Sequence, residues 1–140
     1  DIFNIKKNFT KIFINFKRKK YHNVKFLNNV TNLDKFYNNI DVICFPSRMN
    51  ALGRPIIEAA SHAVPSVVCL KEYFNDTIIN NKTGYVLKFG DKKNFIKKLE
   101  YLNKDTKKLN ELGLNAKKNY HSKHNVINNT QRLLKIYKFI

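Results

Sequence analysis

Residues 41–68, DVICFPSRMNALGRPIIEAASHAVPSVV, contain the pattern that decides the fold of this chain. A short apolar run at residues 42–45 predicts a strand that is buried on both faces of a parallel sheet. The loop 48–54 then leads into a helix, for which Pro55 is a favourable first residue because its missing N–H costs nothing there. A second apolar run follows at residues 66–70. The stretch therefore predicts a strand, a helix and a second parallel strand, which together form a βαβ unit.

The loop of this unit follows the carboxyl end of its first strand, which is where open α/β sheets bind their ligands. Free N–H groups at a helix start favour an anion, and Arg48 and Arg54 add positive charge that suits a phosphate. Glu58 lies about one turn inside the helix, too far in to cap it. Its carboxylate could accept hydrogen bonds from a pair of hydroxyls, such as those of a ribose. These residues predict a nucleotide or sugar-phosphate site and do not specify a reaction.

The length and composition favour one domain with one core. The chain has 140 residues, of which 43% are hydrophobic and 13% aromatic, enough to bury a core. No apolar run approaches the length of a membrane span. Cys44 and Cys69 both fall in predicted buried strands, where we expect small reduced core residues rather than a disulfide or a metal pair.

The net charge of +17 is the most extreme property of the sequence. Lysine is spread through every segment together with abundant asparagine, which biased codon usage produces without selection for a polyanionic partner. A basic surface still attracts phosphates and anionic membranes, so an anionic membrane surface is an expected partner. The aromatic residues fit core positions rather than stacking positions between basic residues. We therefore do not expect nucleic acid to be the principal partner.

The remaining elements complete an α/β pattern. Apolar residues at helical spacing predict an amphipathic helix within residues 1–20, and short strands are predicted at residues 24–27 and 85–87. Further helices are predicted near residues 92–102, 105–120 and 125–140, and the C-terminal helix is assigned to residues 121–140 as a whole. Four short strands with helical connections predict an α/β fold with a partial Rossmann-like parallel sheet and flanking helices.

A metal site is not indicated by the sequence. His121 and His124 are three residues apart, a spacing that metal ligands can use, but no carboxylate or cysteine has matching spacing. A surface pair is therefore the preferred interpretation. The sequence also contains no P-loop and no glycine-rich dinucleotide fingerprint.

Three strings carry a resemblance to a known family: FYNNIDVICFPSRMNALGRPIIEAASHAVPSVV, then NDTIINNKTGYVLKFGD, then NELGLNAKK. In this order they closely resemble the C-terminal domain of family-4 glycosyltransferases, over about residues 24–120. The resemblance implies a retaining, nucleotide-sugar-dependent enzyme with the two Rossmann-like domains of the GT-B fold. It further implies that residues 1–140 are a single nucleotide-sugar-binding domain, incomplete at its N-terminus. The acceptor-binding N-terminal domain is then a missing partner.

The resemblance assigns roles to the loop and the first helical turns. The donor signature of the family is two glutamates separated by seven residues, and Glu58 matches the second, which binds the ribose. Asn50 occupies the first position, the catalytic one beside the donor sugar. Asparagine keeps the size and one acceptor but loses the negative charge, so a hydroxyl contact can survive while any electrostatic contribution falls. The backbone of Ala51, Leu52 and Gly53 would approach the donor sugar and diphosphate.

Ala63 departs from the family, which usually has glycine at this helix end. A left-handed residue is convenient there, and alanine in that conformation costs on the order of 1 kcal/mol.

The implied function is hexosyl transfer from a nucleotide sugar to a glycan or lipid-linked acceptor, at the cytoplasmic face of a membrane. The nucleotide sugar is the donor substrate, and neither a metal nor another cofactor is expected. The isolated chain is expected to be inactive. The alternatives are a non-catalytic remnant and a basic module that binds nucleic acid or membranes.

Overall fold

The computed structural model describes residues 24, 25, 27, 29–47, 52–72 and 77–138. The chain divides into two compact units, residues 1–33 and residues 34–140, and the fold below is that of the second unit. The helix predicted within residues 1–20 lies outside the described residues. The prediction of a single domain over residues 1–140 stays a prediction.

The second unit is built on a parallel sheet of three strands in the described residues, in the order β1-β2-β3. These strands are β1 (Ile43–Pro46), β2 (Ser66–Leu70) and β3 (Gly84–Lys88). The central strand β2 pairs with both neighbours, and each of its residues is buried. Burial on both faces explains why the sequence of β2 is a continuous apolar run rather than an alternating one. The predicted α/β fold with a partial Rossmann-like parallel sheet is confirmed.

The helices of the described residues begin and end close to the predicted positions. They are α1 (Leu33–Tyr37), α2 (Arg54–Ser61), α3 (Lys92–Lys104), α4 (Thr106–Lys123) and α5 (Val126–Tyr137). Asp91 caps the start of α3, since its carboxylate accepts a hydrogen bond from the Asn94 N–H at 3.1 Å. The C-terminal helix assigned to residues 121–140 starts later than predicted, because α4 continues to Lys123 and α5 begins at Val126.

Two apolar cores cover the opposite faces of the sheet. Val67 and Val68 are adjacent in β2, so their side chains point to opposite faces. Val68 packs with Ile56 of α2 in the first core. Val67 packs with Leu102 of α3 and Leu112 of α4 in the second core. Each of these buried side chains stabilises the fold by about 1.5–3 kcal/mol, which anchors α2 firmly against the sheet.

Two predictions about strands are wrong. β1 is not covered on both faces, because Ile43 and Phe45 are half-buried while Cys44 is exposed. The described helices leave the strand open at Cys44, whereas Cys69 in the central strand is buried as predicted. The strand expected at residues 24–27 is also not found, since its described residues Val24, Lys25 and Leu27 are exposed and belong to no strand. Without burial, a short apolar run gains little from strand pairing.

The apolar residues of α5 are exposed rather than packed. Val126 has 74% of its surface exposed, and the main contact of α5 among the described elements is with α4. No helix formed by the described residues is long and apolar enough to cross a membrane.

Candidate functional site

The predicted site lies where β1 leads into α2. The backbone N–H of Ser47 donates to the Cys69 oxygen at 3.1 Å, so the chain leaves the sheet at the carboxyl edge of β1 and β2. It reaches α2 through Gly53, whose backbone is extended, with φ −72° and ψ 164°. The helix begins at Arg54, so Pro55 is its second residue rather than its predicted first, and no side chain of the described residues caps the helix. This helix start is therefore built from backbone, which suits an anionic ligand.

Gly53 and Leu52 hold the end of the loop against the sheet. A Cβ atom on Gly53 would lie 3.2 Å from the Phe45 ring and 3.2 Å from the Pro55 ring, which is tighter than ordinary packing. Leu52 is half-buried and packs on the core that contains Ile56 and Val68. Glycine thus lets the backbone come close to β1, while Leu52 anchors it.

Glu58 of α2 presents a carboxylate whose two oxygens both have partners. Oε2 accepts a hydrogen bond from the Tyr37 hydroxyl at 3.0 Å. Oε1 lies 3.4 Å from Nη2 of Arg54, one turn earlier on the same helix. The Arg54 side chain is 89% exposed and that of Glu58 is 26% exposed. An exposed ion pair contributes little to stability, so the Arg54 guanidinium is free to turn toward another anion.

Tyr37 ends α1 and lies under Glu58, with only 3% of its surface exposed. Burial, together with the hydrogen bond to Glu58 and its negative charge, raises the pKa of Tyr37 to about 12. The phenol therefore stays protonated, and remains a hydrogen-bond donor, over the whole physiological range. Its ring packs edge-on against Phe36 and stacks on His62, with centroids 5.1 Å and 5.3 Å away.

His62 links α1 to the end of α2. Nε2 lies 2.9 Å from Asp34 Oδ1, and Nδ1 lies 3.0 Å from the Glu58 backbone oxygen. The hydrogen bond to that backbone oxygen, followed by the bond to Asp34, raises the pKa of His62 above its ordinary value. The protonated ring donates from both nitrogens and so satisfies both contacts at once.

Ala63 ends α2 in the left-handed conformation, with φ 59°. The Val64 N–H donates to the Ala59 oxygen at 2.9 Å, and the Ala63 N–H donates to the Ala60 oxygen at 3.1 Å. These two bonds form a Schellman motif. The left-handed residue expected at this helix end is therefore present, and alanine occupies it.

The structure brings four of the predicted site residues together at the start of α2, namely Leu52, Gly53, Arg54 and Glu58. Arg48, Asn50 and Ala51 lie outside the described residues. Within the described part of the chain, no group of three or more His, Cys, Asp or Glu side chains is placed to hold a metal ion. The expectation that no metal is needed stays a prediction.

Sequence reasoning missed both Tyr37 and His62. Tyr37 lies 21 residues before Glu58, and Asp34 lies 28 residues before His62. No local spacing rule relates residues that far apart. The one available signal was the position of Tyr37 in the string FYNNID, inside the stretch that carries the family resemblance.

Comparison with known proteins identifies the family. Residues 12–119 match the family described as "Glycosyl transferases group 1". The capsular polysaccharide biosynthesis glycosyltransferase CapM of Staphylococcus aureus is 32% identical over 101 residues, which are 72% of this chain and 27% of CapM. The chain thus spans about a quarter of the length of this curated relative.

Solved structures show the fold. Anabaena HepE, crystallised with UDP and glucose, superposes with a TM-score of 0.83 at 18% identity, over 99% of this chain and 38% of HepE. The C-terminal domain of LpcC, a glycosyl transferase group 1 family protein from Francisella tularensis, superposes with a TM-score of 0.67 at 17% identity, over 84% of this chain and 63% of that one. The chain belongs to the group 1 glycosyltransferase family and has the fold of part of a GT-B glycosyltransferase.

Proposed function

We propose that this chain is the donor-binding portion of a retaining glycosyltransferase, which transfers a hexosyl group from a nucleotide sugar to a glycan or lipid-linked acceptor. The observation that carries the proposal is the Glu58 carboxylate. It is partly exposed, about one turn inside a helix that starts at the carboxyl edge of a parallel sheet. Ligands bind at this edge in open α/β folds, and the family resemblance assigns this glutamate to the ribose.

The donor we propose is a nucleoside diphosphate sugar. The start of α2 offers backbone N–H groups and the positive end of the helix dipole to the diphosphate. The Arg54 guanidinium, bound only to Glu58 among the described residues, can turn toward the phosphates. HepE has been crystallised with UDP-glucose and with UDP, which supports a donor of this class.

The reaction we propose replaces one bond at the anomeric carbon by another. The nucleoside diphosphate leaves with the bonding electron pair, and an acceptor hydroxyl attacks from the same face, which retains the configuration. The proton of that hydroxyl passes to an oxygen of the departing diphosphate. The helix start, Arg54 and Arg48 stabilise the negative charge that develops on the leaving group. Asn50 would contact the sugar hydroxyls as a neutral acceptor and donor. We expect no divalent metal to take part.

Binding of the donor tests this function directly. Sugar nucleotides of uridine, guanosine and adenosine are titrated into the chain and into Glu58→Gln by isothermal calorimetry. The control is Glu111→Gln, which removes an exposed carboxylate that pairs with Lys108 on α4. Hydrogen bonds to a charged group contribute about 1.5–3 kcal/mol, so we expect Glu58→Gln to weaken binding by roughly tenfold or more. Glu111→Gln should bind like the unmodified chain.

The other outcomes favour the alternatives. A folded chain that binds none of these donors would be a non-catalytic remnant. Salt-sensitive binding of oligonucleotides that is indifferent to Glu58→Gln would indicate a nucleic-acid-binding module.

We propose that the protein acts in the cytoplasm, at the inner face of a membrane. The support is its net charge of +17, since polybasic surfaces bind anionic leaflets at about 1 kcal/mol per contacting lysine or arginine. Co-sedimentation with phosphatidylserine vesicles, and not with phosphatidylcholine vesicles, is the expected result. Equal recovery with both lipids would contradict it.

A further inference from the structure

We propose that Tyr37 is a positioning residue for the nucleotide, because it holds the Glu58 carboxylate in the orientation that accepts two ribose hydroxyls. This inference rests on the proposed function, in which Glu58 binds the ribose. It assigns a role to a buried residue on a different helix from the predicted donor site.

A glutamate on a helix surface has several rotamers, and ordering its side chain in one of them costs conformational entropy. Of its two partners among the described residues, only Tyr37 is fixed. Tyr37 is 3% exposed. The Arg54 side chain is 89% exposed, so packing does not hold it in one rotamer. The phenol is therefore the contact that selects the Glu58 rotamer before the ligand arrives.

Tyr37, on α1, is in turn held against α2, the helix that carries Glu58. Its ring stacks on His62 at 5.3 Å, and His62 Nδ1 lies 3.0 Å from the Glu58 backbone oxygen. Asp34, on the same helix as Tyr37, lies 2.9 Å from His62 Nε2. The hydroxyl and the carboxylate thus belong to one packed assembly of α1 and α2, whose parts cannot shift independently by much.

The hydrogen-bond capacity of Glu58 fits this role. A carboxylate offers about four acceptor positions. The Tyr37 hydroxyl occupies one position on Oε2, and Arg54 faces Oε1. Each oxygen therefore keeps about one position for a further donor, which matches the two neighbouring hydroxyls of a ribose. Because the phenol stays protonated, it remains a donor to Oε2 at every pH at which the nucleotide would bind.

Binding of UDP, GDP and ADP, with inorganic pyrophosphate as a ligand that lacks the ribose, tests the proposal. Calorimetry is carried out on the unmodified chain, Tyr37→Phe, Glu58→Gln and the double variant. The control is Tyr101→Phe, which removes another phenol–carboxylate bond of 3.0 Å, to Asp105 on the exposed surface. We expect Tyr37→Phe to weaken the tightest-binding nucleotide by roughly three- to tenfold, and to leave pyrophosphate unchanged. In the Glu58→Gln background, Tyr37→Phe should weaken nucleotide binding little further. Tyr101→Phe should bind the nucleotide as tightly as the unmodified chain does.

A second measurement tests the contact without replacing Tyr37. Titration of carbon-13-labelled tyrosine by NMR should show the Tyr37 hydroxyl losing its proton at lower pH in Glu58→Gln than in the unmodified chain, because Glu58 raises this pKa. The same titration midpoint in both proteins would overturn the contact.

The failures of the two proposals can be told apart. If the unmodified chain binds a nucleotide and Tyr37→Phe binds it equally well, the positioning role is overturned while the proposed function stands. An equal loss for pyrophosphate, or an undiminished loss in the Glu58→Gln background, would show a general structural effect and also overturn it. A folded chain that binds no nucleotide overturns the proposed function, and this inference with it.

Discussion

Ala63 occupies a backbone conformation that favours glycine. Its φ of 59° lies in the left-handed region, at the end of α2. We predict that Ala63→Gly raises the free energy of unfolding by about 0.5–1 kcal/mol, because the relief of the Cβ clash exceeds the entropy that glycine adds to the unfolded chain. Urea unfolding measures this gain.

The control for Ala63→Gly is Ala60→Gly, three residues earlier inside the helix. There the same substitution should lower the free energy of unfolding by about 1 kcal/mol, because glycine is a poor helix former. Destabilisation by both substitutions would contradict the assigned helix end.

His62 should make the stability of the protein depend on pH. Its folded-state pKa is raised, first by the hydrogen bond to the Glu58 backbone oxygen and then by Asp34, while burial and, to a smaller extent, Lys117 oppose the shift. The folded state therefore holds the proton more tightly than the unfolded state, whose histidine pKa is about 6.5. This contribution is fully present below about pH 6.5 and is lost as the pH rises through the raised pKa.

The comparison protein for this pH effect is His62→Asn. We predict that the difference in unfolding free energy between the unmodified chain and His62→Asn shrinks as the pH increases from 6 to 9. A difference that stays constant or grows over this range would contradict the assignment.

Single residues could be predicted from the sequence where their structural role depends on neighbours within the same segment. The helix start at Gly53 and Pro55, the depth of Glu58 inside α2 and the left-handed Ala63 all follow from local rules or from the family resemblance. Tyr37 could not be found in this way, because its partner Glu58 is on another helix. Only the packing of α1 against α2 brings them together.

At the scale of elements, Gly113 determines how closely α4 approaches the end of α2. A Cβ atom at this position would clash with the Ala63 backbone oxygen and lie 3.0 Å from the Ala63 carbonyl carbon. We predict that Gly113→Ala destabilises the protein by about 1–3 kcal/mol, as overpacking of a tight contact does. Thermal or urea unfolding would measure the loss.

The sign of the Gly113→Ala effect is the informative part of this test. Glycine to alanine inside a free helix stabilises by about 1 kcal/mol, so a gain in stability would show that α4 does not approach α2 closely. Lys118→Ala, at an exposed position of the same helix, should change stability by less than about 0.5 kcal/mol.

Elements were predictable where the sequence pattern and the burial agree. β2, β3 and the helices α2, α3 and α4 are found close to their predicted positions, and Asp91 caps α3. One error concerns the existence of an element, since the strand expected at residues 24–27 is not found, and the others concern which surfaces are covered. An apolar run shows that a surface tends to be buried, but it does not show which element covers it, so the exposure of Cys44 and of the apolar face of α5 was not predictable.

At the scale of the whole molecule, the chain corresponds to about a quarter of CapM and 38% of HepE. The part described here supplies a sheet edge, a helix start and a carboxylate, which are the groups that the proposed donor binding requires. We expect these 140 residues to bind a donor without transferring the sugar, because the acceptor contacts of such enzymes lie mostly in the other domain.

We propose that the nucleotide binds at the start of α2, and an amide NMR titration would locate it there. The nitrogen-15-labelled chain is titrated with the nucleoside diphosphate that binds it. The predicted result is that the largest shift changes occur at Gly53, Arg54 and residues 56–58, with a smaller change at Tyr37. Amide chemical-shift changes confined to α5 or to the lysines of α3 and α4, with the start of α2 unaffected, would contradict binding of the nucleotide at the start of α2.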